Sequence, residues 1–355
     1  MFCGRGPTMT ITNSAPQKIL PRDIRRRASS CGTLIIAAGF EKRALKVIES
    51  MVQVFPRRVV LVRYAQRFKE NEASFDKMAE LVSNSTSIVD CAELDFDPRH
   101  PDAYLENLKE TLTRWRPDSQ GEIWVDISAF TMQGICATLA GVREVLSSSA
   151  VRTLYTEAEV YFPSKEDVER KGNKYAAMSL EMSGNLIPKR FAGVSSEGST
   201  CLLVFAGYEK HRSIGVVDEL NPAKLVLIFG KPPRVDLQWR LEWSRKLHDP
   251  IKGTRPTASE VVSTLDPKES LQILSEYYGF LFNDHNIAIA PICSKMQCVA
   301  TYLFWERYRD VQLVFPLPVT YLPKRFSIGC GSTFEWLIPP QSIMGALTSS
   351  PLTDV

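Results

Sequence analysis

The run "TLIIAAGFEKRA" at 33–44 decides the fold, because a continuous apolar segment is followed at once by glycine, an aromatic residue and charge. Apolar runs of this length without polar alternation are typical of a strand buried on both faces of a parallel sheet. A second run, "TCLLVFAGYEKHRS" at 200–213, repeats the order of strand, glycine, aromatic residue, glutamate and lysine. The sequence therefore predicts two equivalent strand ends in one chain.

Strand-length and helix-length segments alternate on either side of both runs. In the first half the patterns predict strands near 33–38, 58–63, 87–94, 122–127 and 151–162, with helices at 41–53, 68–83, 102–116 and 131–147. In the second half they predict strands near 200–206, 224–229, 258–264, 286–292 and 311–321, with helices at 209–220, 235–248, 268–282 and 295–309. This alternation indicates an α/β protein made of two tandem Rossmann-like units, with mainly parallel sheets and helices on both faces.

Three matches in the same order suggest that the halves arose by duplication. Glu41 corresponds to Glu209, "TMQGICATL" at 131–139 resembles "KMQCVATYL" at 295–303, and "VYFPS" at 160–164 resembles "TYLPK" at 320–324. We therefore expect a disordered basic arm over 1–30, unit 1 over 31–163 and a connector or hairpin extension over 164–199. Unit 2 is expected over 200–340 and a flexible tail over 341–355.

Composition narrows the classes of function. The 355 residues are 44% hydrophobic and 23% charged, as in an ordinary globular protein. The net charge is +3, of which residues 1–30 contribute +5, so the rest of the chain has −2. The basic arm is therefore either a solvated tail or a weak nucleic-acid or phosphate contact, and an extended nucleic-acid footprint is not expected. No apolar run approaches the roughly 20 residues of a membrane helix, and no secretory signal begins the sequence. We expect a cytoplasmic protein.

The cysteine and histidine residues give no metal or disulfide pattern. Eight cysteines are scattered without a CxxC pair, and the four histidines are far apart. Buried thiols in a reducing compartment are therefore expected, with no metal and no cofactor.

Candidate ligand-binding residues follow the repeated strand ends, where open parallel sheets bind ligands. They are Gly39, Glu41, Lys42 and Arg43 in the first copy, and Gly207, Glu209, Lys210 and Arg212 in the second. The glycines would let a ligand approach the backbone closely, and the basic residues would meet phosphates. The glutamates would repel a phosphate, so they either accept from a ribose or base, or only compensate the helix dipole. Neither GxGxxG nor a Walker motif occurs.

A second group of candidates follows the fourth strand of each half. Asp126 and Ser128 in "WVDISAFTMQG" either contact a ligand beside the first loop or cap the next helix. The second copy has Ala290 in place of the aspartate, and polar residues return only at Ser294 and Lys295. The two candidate sites are therefore not equivalent.

Two other segments have open interpretations. Glycines in "IGCGSTFEW" at 328–336 suit either a phosphate-binding nest or, preferably, a turn before a closing strand. A set of aromatic residues at helical spacing is assigned to core or inter-unit packing in preference to base stacking: Trp239, Trp243, Tyr277, Tyr278, Trp305 and Tyr308.

The "DISAFTM" segment after a fourth Rossmann-like strand resembles the CARF domains of CRISPR-associated and related bacterial defence proteins. Asp126 and Ser128 match that family's motif, whereas Met132 stands where the family has lysine or arginine. The resemblance covers about 130 residues of the first unit, with a degenerate echo in the second. It implies paired domains that bind a cyclic oligonucleotide and that either signal through a separate effector protein or process the ligand themselves.

Three functions remain open from the sequence. The first is a sensor or binding protein for a nucleotide or other phosphorylated ligand, in bacterial antiviral defence. The second is a nucleotide-processing enzyme, a hydrolase or phosphodiesterase, with Glu41 or Asp126 as general base. The third is an interaction subunit of a defence complex without its own ligand.

Overall fold

The structure is a computed structural model, which describes residues 14–341 apart from 67, 116–120, 173–178, 195–196, 252 and 254–256. The chain divides into two compact units. Here the N-terminal unit comprises 14–160 together with 327–341, and the C-terminal unit comprises 161–326. The flexible tail predicted over 341–355 lies, apart from its first residue, outside the described residues.

Strands and helices alternate through the first part of the chain. Their order is β1 (Gln17–Ile19), α1 (Pro21–Arg27), β2 (Cys31–Ala38), α2 (Lys46–Ser50), β3 (Arg58–Tyr64), α3 (Lys69–Ser83), β4 (Asp90–Phe96), α4 (Pro101–Trp115), β5 (Glu122–Asp126), α5 (Met132–Val145), β6 (Val151–Thr156) and β7 (Val160–Tyr161). A 3-10 turn over Lys42–Leu45 precedes α2.

The second part continues the alternation. Its elements are α6 (Lys165–Lys171), β8 (Ser179–Leu186), β9 (Ser199–Ala206), α7 (Lys210–Leu220), β10 (Lys224–Lys231), α8 (Trp239–His248), β11 (Thr257–Ser263), α9 (Pro267–Leu281), β12 (His285–Pro291), α10 (Lys295–Arg307), β13 (Gln312–Leu313), β14 (Phe315–Tyr321), β15 (Ser327–Ile328) and β16 (Thr333–Ile338).

Both units contain a parallel sheet with the same order of strands. The N-terminal sheet runs β6-β5-β2-β3-β4 in parallel, and β16 and β1 extend it antiparallel beyond β6. The C-terminal sheet runs β11-β10-β9-β12-β13, all parallel. In each, the first parallel strand along the chain, β2 or β9, lies between the second and the fourth. The predicted α/β class with Rossmann-like, mainly parallel sheets is confirmed.

The apolar runs form the cores of these sheets. Leu34, Ile36, Leu61 and Trp124 are almost completely buried in the N-terminal unit, where they pack with α2 and α3. Leu202, Val204, Leu227 and Ala290 belong to the corresponding C-terminal cluster. Continuous burial of both strand faces explains why these segments show no polar alternation.

The predicted disordered arm is wrong for residues 14–30, whereas residues 1–13 lie outside the described part of the chain. β1 pairs with β16, and the helix α1 buries Ile24 completely against the core. Arg27 forms an ion pair with Glu335 of β16. The basic residues of this segment therefore surround a short helix whose apolar side packs on the sheet.

The connection between the units differs from a simple tandem arrangement. β16 pairs with β6 in the N-terminal sheet, although the sequence grouped residues 200–340 together. In sequence, the C-terminal unit is thus inserted between two segments of the N-terminal unit. The two ends of the inserted unit meet, since the Phe162 amide donates to the carbonyl oxygen of Phe326 at 3.0 Å.

The predicted strand over 311–321 is divided in the structure. Within it, β13 (Gln312–Leu313) joins the parallel sheet, whereas β14 pairs antiparallel with β8 from the segment predicted as a connector or hairpin extension. Pro316 and Pro318 lie in β14 and cannot donate to a sheet ladder, which suits a separate two-stranded sheet rather than the interior of the parallel one.

Candidate functional site

The candidate residues converge at the carboxyl ends of the parallel strands. We call residues 39–45 and 127–131 the N-terminal crest, and residues 207–213 and 292–295 the C-terminal crest. A Cβ atom on Gly39 would lie 2.8 Å from the Cβ of Ala129, and one on Gly207 would lie 2.6 Å from the carbonyl oxygen of Ile292. In both crests, glycine therefore permits close contact between the loops after the first and fourth strands.

Glu41 of the N-terminal crest is held by its own loop. Arg43 donates from Nη2 to Glu41 Oε2 at 2.8 Å and from Nη1 to the carbonyl oxygen of Thr156 at 3.1 Å. Ser327 donates its hydroxyl to the other oxygen of Glu41. The side chains of Arg43 and Glu41 are only 6% and 10% exposed, so this ion pair is largely withdrawn from solvent. Lys42, between them in sequence, is exposed.

Glu209 of the C-terminal crest has the same set of partners. Ser179 donates to Glu209 Oε1 at 2.5 Å, and Arg212 Nη1 lies 3.1 Å from Oε2. Arg212 also donates to the carbonyl oxygen of Pro316 at 3.0 Å. The arginine follows the glutamate by three residues here because the chain enters the α-helix α7 directly, which places positions i and i+3 on one face.

His211 adds a titratable group to the C-terminal crest. Its Nε2 lies 3.4 Å from the hydroxyl oxygen of Ser179. Burial lowers the pKa of His211, while the charge of Glu209 raises it and that of Arg212 lowers it. The ring is therefore part of the same polar cluster as the buried glutamate.

Asp126 and Ser128 are both buried beneath the N-terminal crest. Ser128 donates to Asp126 Oδ1 from its amide at 3.0 Å and from its hydroxyl at 2.5 Å. The Ser128 hydroxyl oxygen accepts from the Thr156 amide at 2.8 Å, which ties the loop after β5 to β6. Asp126 Oδ2 is buried and has no hydrogen-bond partner among the described residues. Burial raises the pKa of Asp126 to about 7, although the bonds from Ser128 and the charge of Arg43 lower it.

The capping role suggested for Asp126 or Ser128 is wrong. Thr131 caps α5 by accepting from the Gly134 amide at 3.2 Å. Ser294 has that role in the C-terminal unit, where it accepts from the Gln297 amide at 3.2 Å. Lys295 follows as the first residue of α10 and is half-buried.

Two serines that the sequence did not single out complete the clusters. Ser327 and Ser179 each donate a hydroxyl to a motif glutamate. They lie 286 and 30 residues from their partners. "PKRF", which occurs at 188–191 and 323–326, precedes Ser327 directly, but nothing in the local sequence marks Ser179.

The glycine-rich segment after Ser327 forms a turn against the N-terminal unit's own chain. Gly329 has a φ of +74°, a conformation that favours glycine. The Gly331 amide donates to the carbonyl oxygen of Glu157 at 2.8 Å, so it is engaged within the protein. These contacts agree with the preferred turn interpretation of this segment.

The described residues contain neither a metal-binding cluster nor a helix that could span a membrane. No group of three or more histidine, cysteine, aspartate or glutamate residues in this part of the chain is placed to hold a metal ion. Nor does any helix in it combine the length and apolar character needed to cross a membrane.

Comparisons with known proteins leave the family open. No protein-family model and no curated protein matches the chain. One matching solved structure is a type III CRISPR defence DNA nuclease activated by cyclic oligoadenylate, with 9% identity, a TM-score of 0.46, and coverage of 77% of this chain and 63% of that one. This chain therefore spans less than two thirds of the nuclease.

Another match is the UDP-GlcNAc 2-epimerase of Neisseria meningitidis bound to UDP-GlcNAc. It has 9% identity and a TM-score of 0.21, and the match covers 73% of this chain and 76% of the epimerase. At these levels of similarity the function has to be inferred from the crests themselves.

Proposed function

We propose that this protein binds a nucleotide or another phosphorylated small molecule at its crests and acts as a sensor. The observation that carries the proposal is the internal pairing of both motif glutamates. Each is bound by an arginine and a serine hydroxyl of its own unit, so its charge is compensated before any ligand arrives. The repulsion of a phosphate expected from the sequence is therefore much reduced.

The lysines of the motif remain available at the surface. Lys42 is exposed and Lys210 is half-buried. Lysine is a strongly hydrated point charge that suits contact with a phosphate. A crest whose acidic groups are buried and paired while lysines face outward favours an anionic ligand, at the position where open α/β sheets bind theirs.

The paired arginines have a positioning role in this proposal. Arg43 joins the loop after β2 to the end of β6, and Arg212 joins α7 to β14. Their guanidinium groups are committed to glutamate and backbone oxygens. We therefore assign phosphate contact to Lys42 and Lys210, and assign to the ion pairs the rigidity that holds those lysines in place.

Isothermal titration of the full chain tests the proposal. The panel contains inorganic phosphate, ATP and AMP, and it includes cyclic oligoadenylates because one matched nuclease is activated by them. Lys42→Gln and Lys210→Gln should each weaken binding at their own crest and reduce its dependence on salt. Lys246→Gln, on the exposed side of α8, is the matched control. Absence of binding to every member, or binding unchanged in both crest variants, would overturn the proposal.

A nucleotide-processing enzyme is the second candidate, and Asp126 favours it. This carboxyl has an unpartnered Oδ2 and a pKa raised to about 7, as suits a general base at neutral pH. Its side chain is 1% exposed, so a substrate would reach it only after the crest opens, and for this reason we prefer binding. Product formation that is lost in Asp126→Asn, with ligand affinity retained, would favour the enzyme.

Binding at the crests is placed in a wider context by the origin of the two units and by the resemblance of one segment to a known family. A common origin of the two units is supported by their shared strand order and by the same glutamate–arginine–serine cluster. A role in antiviral defence and a separate effector protein follow from the resemblance of "DISAFTM" to CARF domains. A pull-down with the neighbouring gene products tests the effector, and it also tests the interaction subunit without its own ligand.

A further inference from the structure

An aromatic residue occupies the same place in both crests. Phe40 follows Gly39, and Tyr208 follows Gly207, directly after the first strand of each unit. Both side chains are half-buried, whereas Ala38 and Ala206, the last residues of the two strands, are buried. A large ring that is partly open to solvent at a strand end is not required for packing of the strand itself.

A second aromatic residue comes from the start of the helix after the second strand. Phe68 directly precedes α3, and its ring centroid lies 6.3 Å from that of Phe40 at an interplanar angle of 85°. Trp239 begins α8, which follows β10 as α3 follows β3. Phe68 and Trp239 are also half-buried. Each unit therefore has two half-buried aromatic residues at the carboxyl end of its sheet, which we call its aromatic pair.

A cation lies close to both rings of the C-terminal pair. The guanidinium carbon of Arg240 is 4.8 Å from the ring centroid of Tyr208 and 5.1 Å from that of Trp239. Arg240 donates to the carbonyl oxygens of Tyr161 and Pro163, both at 2.7 Å. These acceptors are uncharged, and the buried Nε has no partner among the described residues. The positive charge is thus held at the rings by the backbone.

We propose that the two aromatic pairs, Phe40 with Phe68 and Tyr208 with Trp239, are nucleobase-stacking surfaces. This inference rests on the proposed function and restricts its ligand to nucleotides. Each crest places a half-buried aromatic residue two positions before a lysine, which matches a ligand with a flat base at one end and a phosphate at the other. Aromatic side chains stack on bases of any sequence, and arginine adds a cation–π contribution.

The assignment changes the role expected for Trp239. The sequence placed it with residues of the core, and Trp305 from the same group is indeed 2% exposed within α10. Trp239 instead lies at the start of its helix, at the same end of the sheet as Tyr208 and Lys210.

Titration of the full chain with AMP and with ribose 5-phosphate separates this inference from the proposed function. Both ligands have the sugar and phosphate, and only AMP has a base. Stacking should make AMP bind about tenfold to a hundredfold more tightly. Phe68→Leu and Trp239→Leu should each lower AMP affinity at their crest about tenfold or more and leave ribose 5-phosphate unchanged. Phe280→Leu, an exposed aromatic at 53% on α9, is the control.

Trp239→Phe keeps a ring at the second site and supplies a further measurement. It should retain AMP affinity within a few-fold while it removes the quenching of tryptophan fluorescence that AMP causes in the wild type. Equal affinity for AMP and ribose 5-phosphate, or loss of both in the leucine variants, would overturn base stacking while the proposed function stands. Absence of binding by both compounds would overturn the stacking inference, and the proposed function would fall as well only if no other member of its titration panel binds.

Discussion

Replacing Asp126 by asparagine is expected to reduce the dependence of stability on pH. Burial raises the pKa of Asp126 from 3.8 to about 7, against the smaller effects of Ser128 and Arg43. The folded protein therefore holds this proton more tightly than the unfolded chain does. Between these two pKa values the folded state binds more protons, so the free energy of unfolding falls as pH rises. The loss of stability caused by ionising buried Asp126 is absent below pH 3.8 and complete above about pH 7.

The magnitude follows from the shift of this buried group. A shift of about three pH units corresponds to about 4 kcal/mol, of which roughly 2–3 kcal/mol develop between pH 5 and pH 8. Asparagine keeps an oxygen for the two bonds from Ser128. Its amide nitrogen takes the place of Oδ2, which has no hydrogen-bond partner among the described residues. This unsatisfied buried donor should lower the stability by about 1–3 kcal/mol at every pH. The change with pH, rather than the stability at one pH, therefore isolates the ionisation of Asp126.

Urea unfolding followed by tryptophan fluorescence measures this change. Wild type, Asp126→Asn and the control Asp76→Asn, an exposed carboxylate on α3, are compared at pH 5, 6, 7 and 8. Between pH 5 and pH 8, the free energy of unfolding of the wild type should fall by roughly 2–3 kcal/mol relative to that of Asp126→Asn. Relative to that of Asp76→Asn, it should change little. A relative change under about 0.5 kcal/mol, or a gain by the wild type, would refute the reasoning.

Three further predictions concern the crests and the C-terminal core. Gly207→Ala should lower the free energy of unfolding by about 1–3 kcal/mol in chemical denaturation, because its Cβ would lie 2.6 Å from the Ile292 carbonyl oxygen; an unchanged midpoint would contradict this close contact. Ser179→Ala should lower the free energy of unfolding by about 1–3 kcal/mol, because buried Glu209 loses a hydrogen-bond donor. Ser179→Thr should restore part of this stability, and an equal loss in both variants would indicate a packing effect instead. Burial lowers the pKa of His248, so its NMR signals should still report a neutral ring at pH 6.5, and a midpoint at or above that value would exclude the predicted burial effect.

The sequence predicted the parallel sheets well because their strands are buried on both faces. The runs ending at Ala38 and Ala206 carry a continuous apolar signal, and the helices between the strands have regular amphipathic spacing. By contrast, α1 is short and rich in arginine, so its composition resembles a disordered arm. Only its contact with the core through Ile24, and the pairing of β1 with β16, make it ordered structure.

The sequence predicted which strand ends carry the candidate residues, but not the contacts that those residues make. The position of Glu41 and Glu209 at strand ends follows from the local pattern. Their neutralisation does not, because Ser327 and Ser179 come from distant segments. The burial of Asp126 likewise depends on how the loop after β5 packs against β6, which local sequence does not encode.

The return of β16 to the first sheet affects the order in which the protein can fold during synthesis. The Tyr161–Phe326 unit has all its strands once residue 321 has left the ribosome. The unit that begins earlier must wait for residues 333–338, and until then the β6 edge lacks its antiparallel neighbour. An unpaired edge is a place where chains associate wrongly. The N-terminal unit is thus the first to be translated and the last to be completed. The nascent chain is most prone to wrong association while the edge of β6 is still unpaired.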